Sequence, residues 1–408
     1  MTEAVAKVLP KKDNMRRAWI VTLAIFLAGF CMPANMGKVM WLAPFILPSY
    51  GITEGTLGWL IGVFYLLGAV VAFPAASFIK RIGIRNTVVI ALACGIGGGI
   101  IGLLSSDIAM LMVSRVIEGA GFGLMGVVGV AAISPWFPVE KRGLPLGIWA
   151  AWVAIANAVT PMIDTSIASA TGNFMSVWVV YIIFDIAVLI FFLAVYRIPS
   201  DPYIDESEKA GDTKFSYKEV FTNSAVWALA AAFFFDEGAF IACQGFFSTY
   251  ATTQINAPIW VGSLIVSLSA FGGALFAPIA GKISDKIGSR FKVLVVAMIC
   301  GVVYCIVIFW AKELWLFVPI VIIQCIAGGG VPSMLWASTT EVVPSKLITG
   351  ATAAMACSQS IGMFLGSMFM GNVIEAFGSY TYAAWAVMVP CYIIALIITI
   401  FVLRKKLR

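Results

Sequence analysis

The sequence predicts an all-α integral membrane protein in which twelve transmembrane helices form two six-helix bundles. Hydrophobic residues make up 61% of the 408 residues and charged residues only 11%, whereas soluble domains carry about 25% charged residues. A helix needs about 20 apolar residues to cross a bilayer, and helices satisfy their backbone hydrogen bonds within one segment there. Twelve apolar runs of about this length lie near 18–47, 55–79, 87–104, 108–134, 145–167, 176–196, 224–250, 258–281, 291–311, 313–337, 348–372 and 380–403.

A repeated loop divides these runs into two halves. Residues 76–85, between the second and third runs, read Ala-Ser-Phe-Ile-Lys-Arg-Ile-Gly-Ile-Arg. Residues 281–290, between the eighth and ninth runs, read Gly-Lys-Ile-Ser-Asp-Lys-Ile-Gly-Ser-Arg. Gly83 matches Gly288 at an offset of 205 residues, about half of the chain. An internal repeat of this kind indicates two structurally related units.

The copy at 281–290 has the pattern G-x-x-x-D-K-x-G-x-R and resembles the signature loop of the major facilitator superfamily. The segment 134–143 contains the pattern W-F-P-x-x-x-R-G, which is also similar to that superfamily. The resemblance extends over residues 18–403 and implies the fold of two six-helix bundles. It also implies a gating loop in each half, with the residues Lys80, Arg81, Gly83, Arg85, Gly281, Asp285, Lys286, Gly288 and Arg290.

The first-half copy departs from the family pattern at two positions. Ala76 replaces the first glycine and Lys80 replaces the aspartate. In the family this aspartate is thought to help latch the cytoplasmic side of the transporter. The resemblance therefore does not extend to a latch in the first half, although it still implies the fold.

Basic residues alternate between the loops. Of the 26 Lys and Arg residues, 23 lie in the terminal tails or in alternate loops, and the exceptions are Lys38, Arg115 and Lys312. Because basic loops stay in the cytoplasm, this distribution predicts two cytoplasmic termini and an even number of spans. We expect the protein in a bacterial plasma (inner) membrane. The expected parts are tails at 1–17 and 404–408, bundles at 18–196 and 224–403, and a cytoplasmic linker at 197–223.

Residue types that carry metal or enzyme chemistry are scarce. The chain has no histidine. Its eight cysteines all fall inside apolar runs, without the spacing of a metal site or a disulfide framework. Nothing resembles a nucleotide-binding P-loop or the nucleophile elbow of a hydrolase. We therefore predict no enzyme activity, no cofactor, no bound metal and no nucleic-acid partner.

Arg115 and Glu118 are ionisable residues inside the fourth run. Such a residue costs about 2.5–3.5 kcal/mol on insertion scales, so it is a candidate functional residue. The two lie three residues apart and can pair on one helix face. The segment Arg-Val-Ile-Glu-Gly-Ala-Gly at 115–121 resembles the superfamily's fourth-helix motif, whose arginine is linked to structural pairing or proton coupling. Burial disfavours a charged Glu118 and Arg115 favours it, so Glu118 is a candidate proton carrier. A static ion pair is the alternative.

Asp236 and Glu237 lie in the middle of the seventh run. Adjacent residues on a helix point about 100° apart. We therefore expect one carboxylate to face a cavity and the other to face a neighbouring helix. Like charges this close disfavour each other's ionised form, which suits proton coupling.

Three further ionisable residues lie inside apolar runs. Lys38 falls in the first run, which contains Pro33, Gly37 and Pro44 and is either a helix broken beside a cavity or a plain kinked helix. It either binds an anion or extends to the membrane surface. We expect Asp164 to lie at an exposed end of the fifth run. Asp185 lies in the middle of the sixth run and needs a partner that the sequence does not identify.

Secondary active transport is the function that these features favour. Two related halves around a midplane site are typical of alternating access, and the lack of a P-loop implies that an ion gradient supplies the energy. A first-helix lysine with a fourth-helix Arg–Glu pair is similar to the arrangement in organic-anion–proton symporters of the superfamily. We expect a monomeric, proton-coupled symporter of a small organic anion. The expected substrate-binding residues are Asn35, Lys38, Trp41, Arg115, Asn157, Asp236, Gln244 and Gln359, and the expected proton-coupling residues are Glu118, Asp236 and Glu237.

Two alternatives stay open. Asp236 and Glu237 favour cations, so the protein is alternatively a proton-coupled antiporter that exports drugs or cationic or amphipathic compounds. The superfamily's drug-efflux antiporters carry a G-P-x-x-G-G element in the fifth helix. The fifth run here has only Thr160-Pro161-Met162 as its nearest approach, which disfavours export. The non-transport alternative is a transporter-like membrane sensor, which would bind its ligand without flux.

Overall fold

The computed structural model describes residues 12–199, 203, 217–344 and 347–404. Twelve helices within these residues are long and apolar enough to cross a membrane, which confirms the predicted number. They are numbered as spans 1 to 12 in chain order. The spans are Met15–Trp41, Glu54–Val71, Arg81–Leu103, Ile108–Trp136, Gly143–Thr171, Ser176–Val195, Ser224–Thr253, Ile259–Ile287, Arg290–Val307, Leu314–Val342, Gly350–Phe377 and Tyr380–Leu403.

Several spans combine more than one helical segment. Span 4 ends in a short 3-10 turn, span 5 is two helices joined at Ala151, and span 12 contains two π-helical segments. Such segments widen or tighten the turn locally without leaving the helix axis. The component helices have the bounds Ile108–Ile133, Ser134–Trp136, Gly143–Ala150, Trp152–Thr171, Tyr380–Ala383, Ala384–Met388, Val389–Ile398 and Thr399–Leu403.

Span 1 is less interrupted than the sequence predicts. Its helix runs without a break through Pro33 and Gly37 to Trp41. The chain leaves helical geometry only at Leu42, directly before a second helix, Ala43–Tyr50. The predicted interruption is therefore absent at Pro33 and Gly37 and present at Leu42, two residues before Pro44. Neighbouring helices in a bundle can compensate for the hydrogen bond that a proline removes.

Glycines turn the chain at both signature loops. Gly83 has a φ of 81° near the start of span 3, and Gly288 has a φ of 65° directly after span 8. Glycine adopts this left-handed region at little steric cost because it has no Cβ atom. The same backbone requirement explains why both loop copies contain glycine at this point.

The second-half loop is tied to span 10. The Nε atom of Arg290 lies 2.9 Å from Oε1 of Glu341, and its guanidinium also donates a hydrogen bond to the carbonyl of Ala337. Both charged side chains are partly exposed, so the ion pair contributes at most about 1 kcal/mol to stability. The side chain of Lys80 in the first-half loop lies outside the described part of the structure. So do residues 1–11 of the predicted tail, residues 405–408 and most of the predicted linker.

Spans 1 to 6 form one bundle and spans 7 to 12 form the other. Span 1 packs against spans 4, 5 and 6, and span 7 packs against spans 11 and 12. The largest contacts between the bundles join span 2 to span 11 and span 5 to span 8. In the repeat, span 2 corresponds to span 8 and span 5 to span 11. The two seams are therefore equivalent, as expected for two related bundles that face each other.

Glycines bring the backbones of spans 2 and 11 together. A Cβ atom on Gly58 would lie 2.4 Å from the carbonyl oxygen of Ser367, and one on Gly371 would lie 2.3 Å from that of Glu54. No side chain fits at these distances. Small residues allow the same close approach in other helix contacts inside membranes.

The seam of spans 2 and 11 closes one end of the molecule. At this end, which holds the loop between spans 1 and 2 and is called the sealed end, Thr53 donates a hydrogen bond to Glu375 across 2.8 Å. Tyr380 donates another to Glu54 across 3.3 Å. The opposite end holds the two signature loops and is called the basic end.

Candidate functional site

A cavity of about 630 Å³ lies between the two bundles. Its wall includes Glu237 and Gln244 from the middle of span 7. It also includes Ala150 and Trp336, which lie toward the basic end of spans 5 and 10. The cavity therefore extends from the middle of the molecule toward the basic end, on the side away from the seam that seals the bundles.

The cavity wall combines aromatic rings and amides with one charged side chain. Glu237 is the single charged residue among the described residues that line it, and its Oε1 accepts a hydrogen bond of 2.8 Å from Gln359. A wall of this kind suits a small organic solute, because apolar surface buries most of the ligand and a few polar groups orient it. The rings belong to Trp41, Tyr65, Phe122, Trp152, Phe240 and Trp336, and the amides to Asn157, Gln244, Gln324 and Gln359.

Four of the eight residues predicted to bind substrate line the cavity, and the other four are buried outside its wall. Helix geometry explains the division in span 1. Met36 and Met40 line the cavity, whereas Lys38 lies about 200° around the helix from Met36. The four lining residues are Trp41, Asn157, Gln244 and Gln359, and the other four are Asn35, Lys38, Arg115 and Asp236.

Lys38, Arg115 and Glu118 form a buried charge cluster behind the cavity. The Nζ atom of Lys38 lies 2.5 Å from Oε1 of Glu118, and an Nη atom of Arg115 lies 2.6 Å from Oε2. All three side chains are at most 1% exposed. Arg115 and Glu118 thus pair as their spacing predicts. Lys38 does not extend to the membrane surface, because a buried carboxylate binds its ammonium group.

Further contacts hold the two cations in place. Arg115 donates hydrogen bonds of 2.8 and 2.9 Å to two backbone carbonyls of span 1, and its guanidinium lies 4.5 Å from the ring centroid of Phe64. Lys38 donates to Oδ1 of Asn35 at 2.8 Å and lies 4.9 Å from the ring of Trp178. A cation over an aromatic face gains electrostatic attraction. These contacts fasten span 1 to spans 2, 4 and 6.

Asn35 connects the cluster to Asp185 in span 6. Its Nδ2 atom donates a hydrogen bond of 2.8 Å to Oδ2 of Asp185, while its Oδ1 atom accepts the bond from Lys38. The amide of Asn35 is therefore one partner of Asp185, and the thiol of Cys31 is another. Asp185 is buried inside the bundle and does not face lipid.

Glycines of span 3 provide the space that these carboxylates occupy. A Cβ atom on Gly98 would lie 2.6 Å from Cγ of Glu118, and one on Gly95 would lie 3.0 Å from Oδ2 of Asp185. A larger residue at Gly98 would displace Glu118 from the two cations. The glycine-rich sequence of this span thus serves the charge cluster as well as helix packing.

Asp164 is buried, so the prediction of an exposed position at the end of span 5 is wrong. Its exposed fraction is 0%, and Tyr181 of span 6 donates a hydrogen bond to its Oδ1 atom. The helix continues to Thr171, about two turns beyond Asp164. The apolar run is shorter than the helix because polar residues dominate the last turns of the helix. The extra turns place the carboxylate of Asp164 inside the bundle.

Asp236 and Glu237 point in different directions, as the helix geometry predicts. Glu237 lines the cavity, where Gln359 binds it. Asp236 faces the hydroxyl group of Tyr392 in span 12. One carboxylate is thus available to a solute, and the other is held between helices.

The predicted gating-loop residues whose side chains the structure describes lie at the basic end and outside the cavity wall. Among them, Arg85, Asp285 and Lys286 are exposed.

The cavity wall contains other residues that the sequence does not indicate as binding residues, such as Tyr65, Phe122 and Phe240. They lie in runs with many aromatic residues, and only the position of the opposite bundle distinguishes them from packing residues.

Two related bundles, sealed together at one end around a central cavity, define a membrane transporter. The sequence profile described as Major Facilitator Superfamily matches residues 25–260 and 237–408. The chain therefore belongs to the Major Facilitator Superfamily of transporters.

Curated relatives in this superfamily have names that describe different solutes. The chain is 23% identical over 288 residues to the probable nitrate/nitrite antiporter NarK1 of Thermus thermophilus, which covers 69% of this chain and 63% of the relative. It is 23% identical over 432 residues to the multidrug resistance protein Stp of Mycobacterium tuberculosis (strain CDC 1551 / Oshkosh), which covers 90% of this chain and 78% of the relative. The chain spans about a third to two thirds of the length of the first curated relatives that it matches.

A solved transporter structure has the same fold. It is a bacterial homolog of the human lysosomal transporter Spinster, in an inward-facing and unoccupied conformation. The two structures match with a TM-score of 0.79 over 98% of each chain, at 16% sequence identity. At this identity the match concerns the fold alone.

Proposed function

We propose that the protein is a secondary active transporter that moves a small organic anion together with protons. The two bundles, residues 18–196 and 224–403, rock about their shared seams, so that the cavity opens to one side of the membrane and then to the other. Basic loops stay in the cytoplasm, so the basic end and both termini face the cytoplasm of a bacterial cell. The chain works as a monomer in the inner membrane.

The observation that supports proton coupling best is that Glu118 binds two cations at once. Its two oxygens bind Lys38 and Arg115 separately, at 2.5 and 2.6 Å. A proton on Glu118 removes the negative charge that both cations share. Two buried cations then lack a counter-charge, which is unfavourable by several kcal/mol.

An anionic substrate restores the missing negative charge. The protonated transporter therefore binds an anion more tightly than the unprotonated transporter does. Linkage makes the effect reciprocal, so that the bound anion also favours the bound proton. This reciprocity is what a symporter needs, because neither ligand crosses efficiently without the other.

Lys38 is the residue that we propose for contact with the substrate. Its ammonium group sits on a flexible four-carbon stem, so it can change partners when Glu118 becomes neutral. Met36, Met40 and Trp41 line the cavity whereas Lys38 faces away from it, so contact with the solute requires span 1 to turn when the bundles rock. Arg115 stays bound to the backbone of span 1 and keeps the cluster in place.

Export of cationic or amphipathic compounds is a second candidate, which one observation favours. The single charged side chain among the described cavity residues is the carboxylate of Glu237, and no described Lys or Arg lines the wall. A cation would bind there directly, in competition with a proton. In this case Glu237 is the coupling residue and the charge cluster braces the bundle.

A stability screen of the purified transporter separates the two candidates. Small carboxylates, organic cations and neutral metabolites are added at pH 5.5 and pH 7.5, and the unfolding temperature is measured. A ligand at a hundredfold excess over its Kd stabilises the native state by about 2.7 kcal/mol. We expect carboxylates to stabilise the protein, and more strongly at pH 5.5. Stabilisation by cations alone, and more strongly at pH 7.5, would instead favour export. The positive ligands are then tested for flux into liposomes with an imposed pH gradient.

A further inference from the structure

We infer that the solute is a planar aromatic compound that carries hydroxyl or amino groups. The inference rests on the proposed transport function and specifies which solute the cavity accepts. Two independent features of the wall support it. One is a set of fixed aromatic rings, and the other is a set of amide oxygens that lack hydrogen-bond partners.

A stack of three rings forms part of the wall in the first bundle. The rings of Phe122 and Trp152 are 5.5 Å apart and inclined by 20°, and those of Trp152 and Trp149 are 5.0 Å apart and inclined by 12°. Phe122 and Trp152 line the cavity. Aromatic rings attract other rings in offset-stacked or edge-to-face arrangements, beyond the effect of buried area.

Two glycines hold this stack in position. A Cβ atom on Gly129 would lie 1.9 Å from Cε2 of Trp149, and one on Gly29 would lie 2.5 Å from Cζ3 of the same ring. Trp149 therefore fits between spans 1 and 4 only because both positions lack a side chain. A stack fixed in this way loses little conformational entropy when a ligand binds, which favours affinity.

The second bundle supplies an aromatic ring on the opposite wall. Trp336 lines the cavity, its side chain is 36% exposed, and it packs edge-on against Phe233 with the ring centroids 5.2 Å apart. Gly123 of span 4 and Gly329 of span 10 also line the cavity and correspond in the repeat. A Cβ atom on Gly123 would lie 2.3 Å from the carbonyl oxygen of Gly68, and one on Gly329 would lie 2.2 Å from that of Gly273, so these glycines let spans 4 and 10 pack closely against spans 2 and 8.

Three amides of the wall have an unpaired oxygen. The side-chain oxygens of Asn157, Gln244 and Gln324 have no hydrogen-bond partner among the described residues, although each side chain is more than nine-tenths buried. Gln359 differs because it already donates to Glu237. A buried acceptor without a partner is unfavourable. The terminal amide torsion is broad, so these oxygens can turn toward a ligand that offers O–H or N–H groups.

Hydroxyl or amino groups on an aromatic ring match both features. The ring lies among the aromatic side chains of the two bundles, and its polar substituents reach the amides of spans 5, 7 and 10. An aliphatic solute would lose the ring contacts, and an unsubstituted ring would leave the amide oxygens unpaired. We therefore expect the cavity to discriminate against both.

Two pairs of probes test this specificity on the full-length protein in detergent. The first pair is catechol and cis-1,2-cyclohexanediol. Both are uncharged diols, and only catechol has an aromatic ring. The second pair is 3,4-dihydroxybenzoate and benzoate. Both are aromatic carboxylates, and only the first has hydroxyl groups on its ring. Binding is measured by calorimetry at pH 5.5 and pH 7.5. We expect the first member of each pair to bind at least about tenfold more tightly, as two hydrogen bonds or one ring contact would produce.

Variants with matched controls show which cavity residues produce these two binding preferences. Gln324→Leu should reduce the preference for 3,4-dihydroxybenzoate over benzoate to about threefold or less. Gln254→Leu, at the end of span 7 and outside the cavity, should leave it unchanged. Trp336→Leu should weaken the preference for catechol over cyclohexanediol, whereas Trp310→Leu, a mostly exposed residue outside the cavity wall, should not.

The outcomes distinguish this inference from the proposed function. Binding of aliphatic carboxylates as tight as that of 3,4-dihydroxybenzoate would overturn the aromatic solute and leave anion–proton symport standing. Tight binding of catechol with no effect of the carboxylate or of pH would keep the aromatic solute and overturn symport of an anion. Equal binding of both members of each pair to wild type would refute the inference.

Discussion

The ammonium group of Lys38 and the carboxylate of Glu118 are 2.5 Å apart, in a position that no solvent reaches. The contact joins span 1 to span 4 behind the cavity wall, and Arg115 holds the second oxygen of the same carboxylate. Removing one partner of a buried ion pair leaves an uncompensated charge. A proton on Glu118 therefore changes the contacts of both spans.

Glu118→Gln should abolish solute flux driven by a pH gradient and leave counterflow exchange in place. The amide cannot take up a proton, so it cannot couple proton movement to the solute. Uptake into proteoliposomes measures both activities, and retained counterflow shows that the variant is folded. Glu140→Gln, at an exposed position at the basic end, is the control. Unchanged pH-driven flux in Glu118→Gln would exclude the coupling role.

Lys38→Ala should weaken the binding of anionic solutes by about tenfold or more, because it removes the cation that we propose for substrate contact. Equilibrium binding of the carboxylates found in the stability screen measures the effect. Lys312→Ala removes an exposed cation between spans 9 and 10 and should not change affinity. If wild type and Lys38→Ala bind anions equally, Lys38 has only a structural role.

Gly371→Val should lower transport at least about tenfold, because small residues make the close helix contact possible. The added side chain would overlap the carbonyl oxygen of Glu54, so the sealed end could no longer close. Initial uptake rates and the unfolding temperature are measured together. Gly97→Val is the matched control, since nothing lies within 4 Å of a Cβ atom at that position. Normal transport by Gly371→Val would mean that closure of this seam is unnecessary.

Tyr181→Phe should lower the free energy of unfolding by about 1–3 kcal/mol, because it leaves a buried carboxylate oxygen without its donor. The double variant Asp164→Asn/Tyr181→Phe should recover part of this loss, since the neutral amide is less costly to bury. Denaturant unfolding in detergent measures both. Tyr382→Phe, where the side chain is 46% exposed, should change stability little. No difference between Tyr181→Phe and this control would show that the bond to Asp164 is not stabilising.

Features that depend on local composition could be predicted from the sequence. The twelve spans follow from the lengths of the apolar runs, and the two halves follow from the repeat of Gly83 and Gly288. The pairing of Arg115 with Glu118 follows from a spacing of three residues on one helix. The divergence of Asp236 and Glu237 follows from the rotation of 100° between neighbours.

Features that depend on which helices meet could not be predicted in this way. Lys38 and Glu118 are 80 residues apart, and Asn35 and Asp185 are 150 apart. No periodicity within one span indicates such a contact. The prediction for Asp164 fails for a related reason, because hydropathy marks where a run stops being apolar, whereas the helix continues where another helix covers it.

Local composition is enough to predict that this chain crosses the membrane twelve times, in two related halves, with ionisable residues inside the spans. The physical reason is that the bilayer imposes a length and a hydrophobicity that each segment must satisfy alone. Which polar residues line the cavity and which are paired behind it depends on how the helices pack in three dimensions. That division depends on the face each helix turns toward its neighbours, and packing between segments distant in the chain determines that face.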